Sequence, residues 1–100
     1  MPFLKCELEG LVIVEPVVFE DSRGYFFEAY NEEQFAQNGI DCHFVQDNQS
    51  RSSYGVIRGL HYQLNPYAQA KLIRVLEGRI LDVAVDIRKS SPTYGQHFFH

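Results

Sequence analysis

Apolar residues in this chain come in short runs that turn-forming residues interrupt at close intervals, a pattern that favours antiparallel strands and leaves little room for helices. The clearest run is Ile80–Arg88, where Leu81, Val83, Val85 and Ile87 share one face and Asp82, Ala84, Asp86 and Arg88 the other. The apolar face is expected to be core and the polar face a solvated sheet surface, with Asp82 a supporting candidate should that face border a pocket. Strands are expected near Lys5–Leu8, Leu11–Glu15, Tyr25–Ala29, His43–Ser50, Val56–Leu64, Lys71–Leu76 and Arg79–Ile87. Glu9-Gly10, Asp21-Ser22-Arg23-Gly24, Asn65-Pro66 and Glu77-Gly78 supply the turns between them. One helix is expected over Glu32–Gln37: Asn31 caps it, Gln34 holds the capping-box position, and Gly39 ends it in the left-handed conformation. The expectation is therefore an all-β sandwich or barrel with one short helix. At the far end, Gln96–His100 begins a strand-like run that stops, which implies a shortened chain or pairing with another subunit.

A chain of 100 residues fits one domain, read here as 1–100 around one core. Its 45% hydrophobic and 14% aromatic content is ample for a packed interior and too high for disorder. Nine Lys and Arg stand against thirteen Asp and Glu, a net charge of −4 with no basic block, so binding to nucleic acid or to anionic lipid through bulk charge is not expected. Any anionic ligand must then be caught by a few placed cations. No apolar run approaches the roughly 20 residues of a membrane span, and the start lacks a signal-peptide layout, so a cytoplasmic protein is the expectation. Cys6 and Cys42 have no metal-type spacing and read as small apolar residues.

The polar residues that could carry chemistry are densest between Gln46 and Lys71. Strand alternation sends Phe44, Gln46, Asn48 and Ser50 to one side, a row of amide donors and acceptors suited to a polyhydroxylated or phosphorylated ligand; an exposed strand face accounts for it equally well. In Ile57-Arg58-Gly59-Leu60-His61-Tyr62-Gln63, a guanidinium and an imidazole stand three residues apart, facing opposite ways on a regular strand. Gly59 is the natural site of a bulge that would bring both into one pocket, with His61 as a base and the cations Arg58 and Lys71 holding a charged substrate. A satisfied, chemically silent histidine is the plainer alternative. Lys71 sits on an otherwise apolar face with Ile73 and Val75, where it either snorkels to the rim or presents its ammonium to a developing enolate. Arg23, Phe26 and Glu28, beside the turn after Asp21, could clamp a phosphate and a base, or simply form a hairpin. The four histidines, His43, His61, His97 and His100, show no clustered ligand set, and no metal is expected.

Taken together, the segments Phe19–Glu28, Phe44–Ser50, Ile57–Gln63, Ala70–Arg74 and Asp82–Arg88 resemble the dTDP-4-dehydrorhamnose 3,5-epimerase family, in order and spacing, over nearly the whole chain. The resemblance implies a cupin-type jelly-roll barrel, incomplete within these residues, that is dimeric, metal-free and without an organic cofactor. It implies an isomerase acting on dTDP-4-dehydro-6-deoxy-D-glucose on the way to dTDP-L-rhamnose. On matching positions, His61 looks like the base for the C3 and C5 protons and Lys71 like the lysine near the enolate oxygen. Arg58 is similar to an arginine on the sugar-phosphate side, and Gln46 and Asn48 to groups lining that pocket. Arg23, Phe26 and Glu28 resemble an arm that crosses the dimer to hold the neighbour's nucleotide. The family's tyrosine acid and the aspartate paired with its base are expected beyond residue 100, since none of Tyr30, Tyr54, Tyr62, Tyr67 and Tyr94 matches the acid's position. A non-catalytic nucleotide-sugar-binding or dimerisation module of that family is the alternative.

Overall fold

The computed structural model describes all residues from Met1 to His100. Regular structure is mostly strand with a single short helix, in the order β1 (Phe3–Lys5), β2 (Val12–Val14), β3 (Phe19–Asp21), β4 (Gly24–Phe26), α1 (Glu32–Gln37), β5 (Val83–Val85) and β6 (His97–Phe99). The strands form three separate antiparallel pairs, β1 with β2, β3 with β4 and β5 with β6. Each pair closes over a short stretch of sequence, which keeps the loop entropy of pairing low. No helix is long and apolar enough to cross a membrane.

The helix follows from local chemistry. Asn31 Oδ1 accepts the Gln34 N–H at 3.0 Å, the expected N-cap. The reciprocal half of the capping box is missing, because the Gln34 amide turns to Glu28 Oε1 at 3.5 Å. At the other end Gly39, at φ +87°, donates to the Ala36 carbonyl and Ile40 to the Phe35 carbonyl, a Schellman closure that needs the left-handed glycine. Phe35 is 1% exposed and lies edge-on to Phe3 at 5.0 Å and to Tyr30 at 4.7 Å, while Tyr30 meets Phe44 at 5.5 Å. This aromatic cluster ties β1, the helix and the segment after Cys42 together. Burial pushes the Tyr30 hydroxyl pKa up, helped by the charge of Glu32.

Several expected strands are displaced or unpaired. β1 precedes the predicted Lys5–Leu8, since the chain at Leu8–Gly10 is already turning, and β3 was not expected. The predicted strands His43–Ser50, Val56–Leu64 and Lys71–Leu76 form no ladder, because no partner edge among these residues runs beside them. Their apolar side chains are accordingly open, Ile57 at 93% and Val45 at 84% exposure. The single packed interior expected from composition is not formed: only Leu8, Phe35 and Asp86 are buried, and the radius of gyration is 15.5 Å where a compact chain of this length has about 13 Å. The run Gln96–His100 finds its partner within the chain, with His97, Phe98 and Phe99 opposite Val85, Ala84 and Val83.

The β5–β6 hairpin also reverses the expected faces. Val83 and Val85, predicted core, are 40% and 37% exposed, whereas Asp86 on the supposedly solvated face is buried and Asp82 and Ala84 are half-buried. The reason is the loop after β5, which folds back onto Asp86. Asp86 Oδ1 accepts from the Arg88 backbone N–H at 3.0 Å and from Arg88 Nε at 2.9 Å. Oδ2 accepts from Arg88 Nη2 at 3.1 Å and from the Ser91 and Thr93 hydroxyls, each at 2.6 Å. Arg88 first, then Ser91 and Thr93, hold this carboxyl far below the usual carboxylate range. A depressed folded-state pKa means the unfolded chain binds the proton more readily, so the stabilisation is complete above the ordinary carboxylate value of about 4 and is lost as pH falls below it. Asp86→Asn would turn an amide N–H₂ toward one set of donors. It is expected to lower the unfolding temperature by on the order of 5 °C at neutral pH. Thermal scans should show that gap shrinking toward pH 3; a gap indifferent to pH would mean the carboxylate charge does not hold the loop.

Candidate functional site

The candidate residues sit on the two least covered parts of the chain, the β3–β4 hairpin and the extended stretch from Phe44 to Lys71. In the hairpin, Asp21 pairs with Gly24, which takes φ +136°, and Ser22-Arg23 form the two-residue loop. Asp21 Oδ1 accepts the Arg23 backbone N–H at 2.8 Å, an Asx turn that closes the loop. The Arg23 side chain then folds onto the same carboxylate, with Nη2 2.6 Å from Oδ2 and Nε 3.2 Å from it. This pair lowers the Asp21 pKa and raises that of Arg23. Both side chains stay open to water, so the contact orients Arg23 more than it stabilises the fold. Phe26 stands opposite Phe19, and both rings are exposed. Glu28 faces Gln34 on the helix rather than Arg23. Of the three members of the proposed clamp, Arg23 and Phe26 thus share one hairpin and Glu28 follows it, and no hydrogen bond or ion pair joins Arg23 to Glu28.

On the second stretch, Gln46 Nε2 donates to Asn48 Oδ1 at 3.2 Å, so alternation does bring these two amides to one side. Arg58 is held locally: Nε donates to Ser52 Oγ at 2.9 Å and Nη2 to the Arg51 carbonyl at 3.1 Å. Gly59 takes φ +133°, a conformation L side chains rarely adopt, and a Cβ there would come 3.8 Å from His61 Nδ1. The backbone therefore breaks from a regular strand between Arg58 and His61, although with no ladder partner there is no bulge in the strict sense. His61 and Lys71 are both exposed, and no hydrogen bond joins either to the other candidates. Asp21, Arg51, Ser52 and Gln34 are the partners that strand reasoning missed. The Asp-x-Arg-Gly spacing carried a signal for Asp21; Ser52 had none, since it lay in a presumed connection.

Residues 5–100 match the family model described as dTDP-4-dehydrorhamnose 3,5-epimerase. The chain belongs to the dTDP-4-dehydrorhamnose 3,5-epimerase family. It is 55% identical over 97 residues to the family member so named from Shigella flexneri, covering 96% of this chain and 54% of that protein. It is 54% identical over 94 residues to the one from Methanothermobacter thermautotrophicus, covering 94% and 50%. The crystal structure of the epimerase from Elizabethkingia anophelis NUHP1 superposes with a TM-score of 0.94 at 54% identity, over 100% of this chain and 55% of that one. That of the Bacillus anthracis epimerase, with TDP and PPi bound, gives 0.94 at 44% identity over 99% and 57%. The chain spans about half the length of the curated relatives it matches. The backbone of this epimerase-family chain thus follows that of the longer structures over the superposed residues.

Proposed function

We propose that this chain carries the base and much of the substrate-binding surface of an isomerase that inverts C3 and C5 of dTDP-4-dehydro-6-deoxy-D-glucose, in dTDP-L-rhamnose biosynthesis. The observation that supports this most strongly is the family match over residues 5–100, with Arg58, Gly59 and His61 inside it. The C4 ketone acidifies the hydrogens on both flanking carbons. His61 takes the proton from C3, the electron pair moves onto the C4 oxygen as an enolate, and a donor on the opposite ring face returns a proton to carbon; the same sequence at C5 completes the inversion. Lys71 stands near the enolate oxygen and offsets its charge. Arg58 binds the sugar-phosphate side, and Gln46 and Asn48 hydrogen-bond the substrate in the same pocket. The opposite-face acid and the aspartate paired with His61 are supplied by the rest of the polypeptide.

In this reading the strand pairs belong to a cupin-type jelly-roll barrel, and the protein works as a cytoplasmic homodimer without metal or organic cofactor. The β3–β4 hairpin reaches across to the neighbouring subunit, with Phe26 stacking on the base and Arg23 on the diphosphate. The TDP bound in the Bacillus anthracis relative agrees with such a nucleotide ligand. Arg23→Ala is expected to weaken dTDP affinity by about tenfold, the loss of one charge-assisted hydrogen bond to an anion. Isothermal titration with dTDP checks it, and an unchanged affinity would argue against the arm.

The decisive experiment follows deuterium from solvent into the 4-keto sugar by NMR, using the natural polypeptide that contains this chain. Uptake at C3 and C5 with inversion supports the full assignment. Uptake at one carbon alone narrows it to a single-carbon epimerase. Absence of uptake despite dTDP binding would replace it with a non-catalytic nucleotide-sugar module.

A further inference from the structure

We propose that Ser52 is a positioning residue for Arg58, fixing one edge of the guanidinium so that its terminal fork stays presented to the diphosphate of the substrate. The inference rests on the assignment of Arg58 to the sugar-phosphate side. A guanidinium is planar, with its N–H donors in a fixed fork, so anchoring two of its nitrogens sets the direction of the remaining donors. Here the anchored edge is Nε on Ser52 Oγ and one N–H of Nη2 on the Arg51 carbonyl. The donors of Nη1 and the second of Nη2 form the end-on fork, the edge that matches two oxygens of a phosphate.

The anchor is built locally. Gly55 at φ +86° reverses the chain, and the Val56 N–H donates to the Ser53 carbonyl at 3.3 Å, closing a turn that returns Arg58 to Arg51 and Ser52. Nothing outside residues 51–58 is needed to hold it, so the arginine is oriented before ligand arrives. Such an arrangement lowers the entropy lost on binding a flexible side chain to an anion. A lysine at position 58 would have no Nε–H for Ser52 and could not present a planar fork.

The test compares Ser52→Ala, Ser52→Thr, Arg58→Ala and the Ser52→Ala, Arg58→Ala double variant in the natural polypeptide, by steady-state epimerisation of the 4-keto nucleotide sugar. Ser52→Ala should raise KM about fivefold, the worth of one solvent-exposed hydrogen bond, with kcat within about twofold, since uniform binding is lost. Threonine retains the hydroxyl and should restore KM. In the Arg58→Ala background Ser52→Ala should change KM no further, which identifies Arg58 as the residue through which Ser52 acts. An unchanged KM in Ser52→Ala, a fall in kcat alone, or an additive effect in the double variant would each overturn the proposal while leaving the epimerase assignment intact. A wild-type protein without solvent exchange would overturn both.

Discussion

Alanine at position 61 is expected to abolish deuterium exchange at both C3 and C5 while dTDP binding stays at the wild-type level. The imidazole is the only group assigned to remove either proton, and loss of a general base costs on the order of 10³-fold or more when no neighbour can substitute. His61 is exposed and no hydrogen bond joins it to another of these 100 residues, so its replacement disturbs none of the packing described above and unpairs only the aspartate proposed to partner it. The nucleotide contacts proposed above lie elsewhere, on the hairpin with Arg23 and Phe26, and give the control. Exchange retained in His61→Ala, at either carbon, would assign that proton to another base. Loss of exchange together with loss of dTDP affinity would mean that His61 holds ligand rather than moves a proton.

Phe35→Ala should be the most destabilising single substitution in the chain, by about 3 kcal/mol, the lower part of the range for a buried Phe reduced to Ala. The ring meets Phe3 and Tyr30 edge-on, so its loss removes the contact that joins the helix to β1. The lower figure applies because the surrounding rings are partly open and can close into the space left behind. Phe35→Leu, which keeps most of the volume, should cost about 1 kcal/mol. Denaturant unfolding of the natural polypeptide measures both. A Phe35→Ala variant within about 1 kcal/mol of wild type would show that the helix is held by its caps and not by this cluster.

The helix was legible because everything that defines it lies within ten residues: a capping Asn31, a buried Phe35 and a left-handed Gly39. The Gln46–Asn48 contact was legible for the same reason, being a two-residue repeat on an extended chain. The strands between His43 and Leu76 were not, since an apolar run signals a preference for a ladder but cannot supply the second strand. Nor was the partner of Gln96–His100, which proved to be the preceding strand β5, reached across the loop that folds onto Asp86.

From residue order alone come the turn at Asp21–Gly24, the helix with both its caps, the alternation along Ile80–Arg88 and the break at Gly59, each governed by backbone sterics and hydrogen bonds between near neighbours. Folding in three dimensions decided which face of β5 is covered, because alternation separates two faces without saying which one a loop will close upon; here Ser91 and Thr93 reach Asp86 and bury the polar one. Where the cations point was set by near neighbours, yet only the folded turns revealed it. Arg23 and Arg58 take their directions from Asp21 and Ser52, partners that a strand pattern does not reveal.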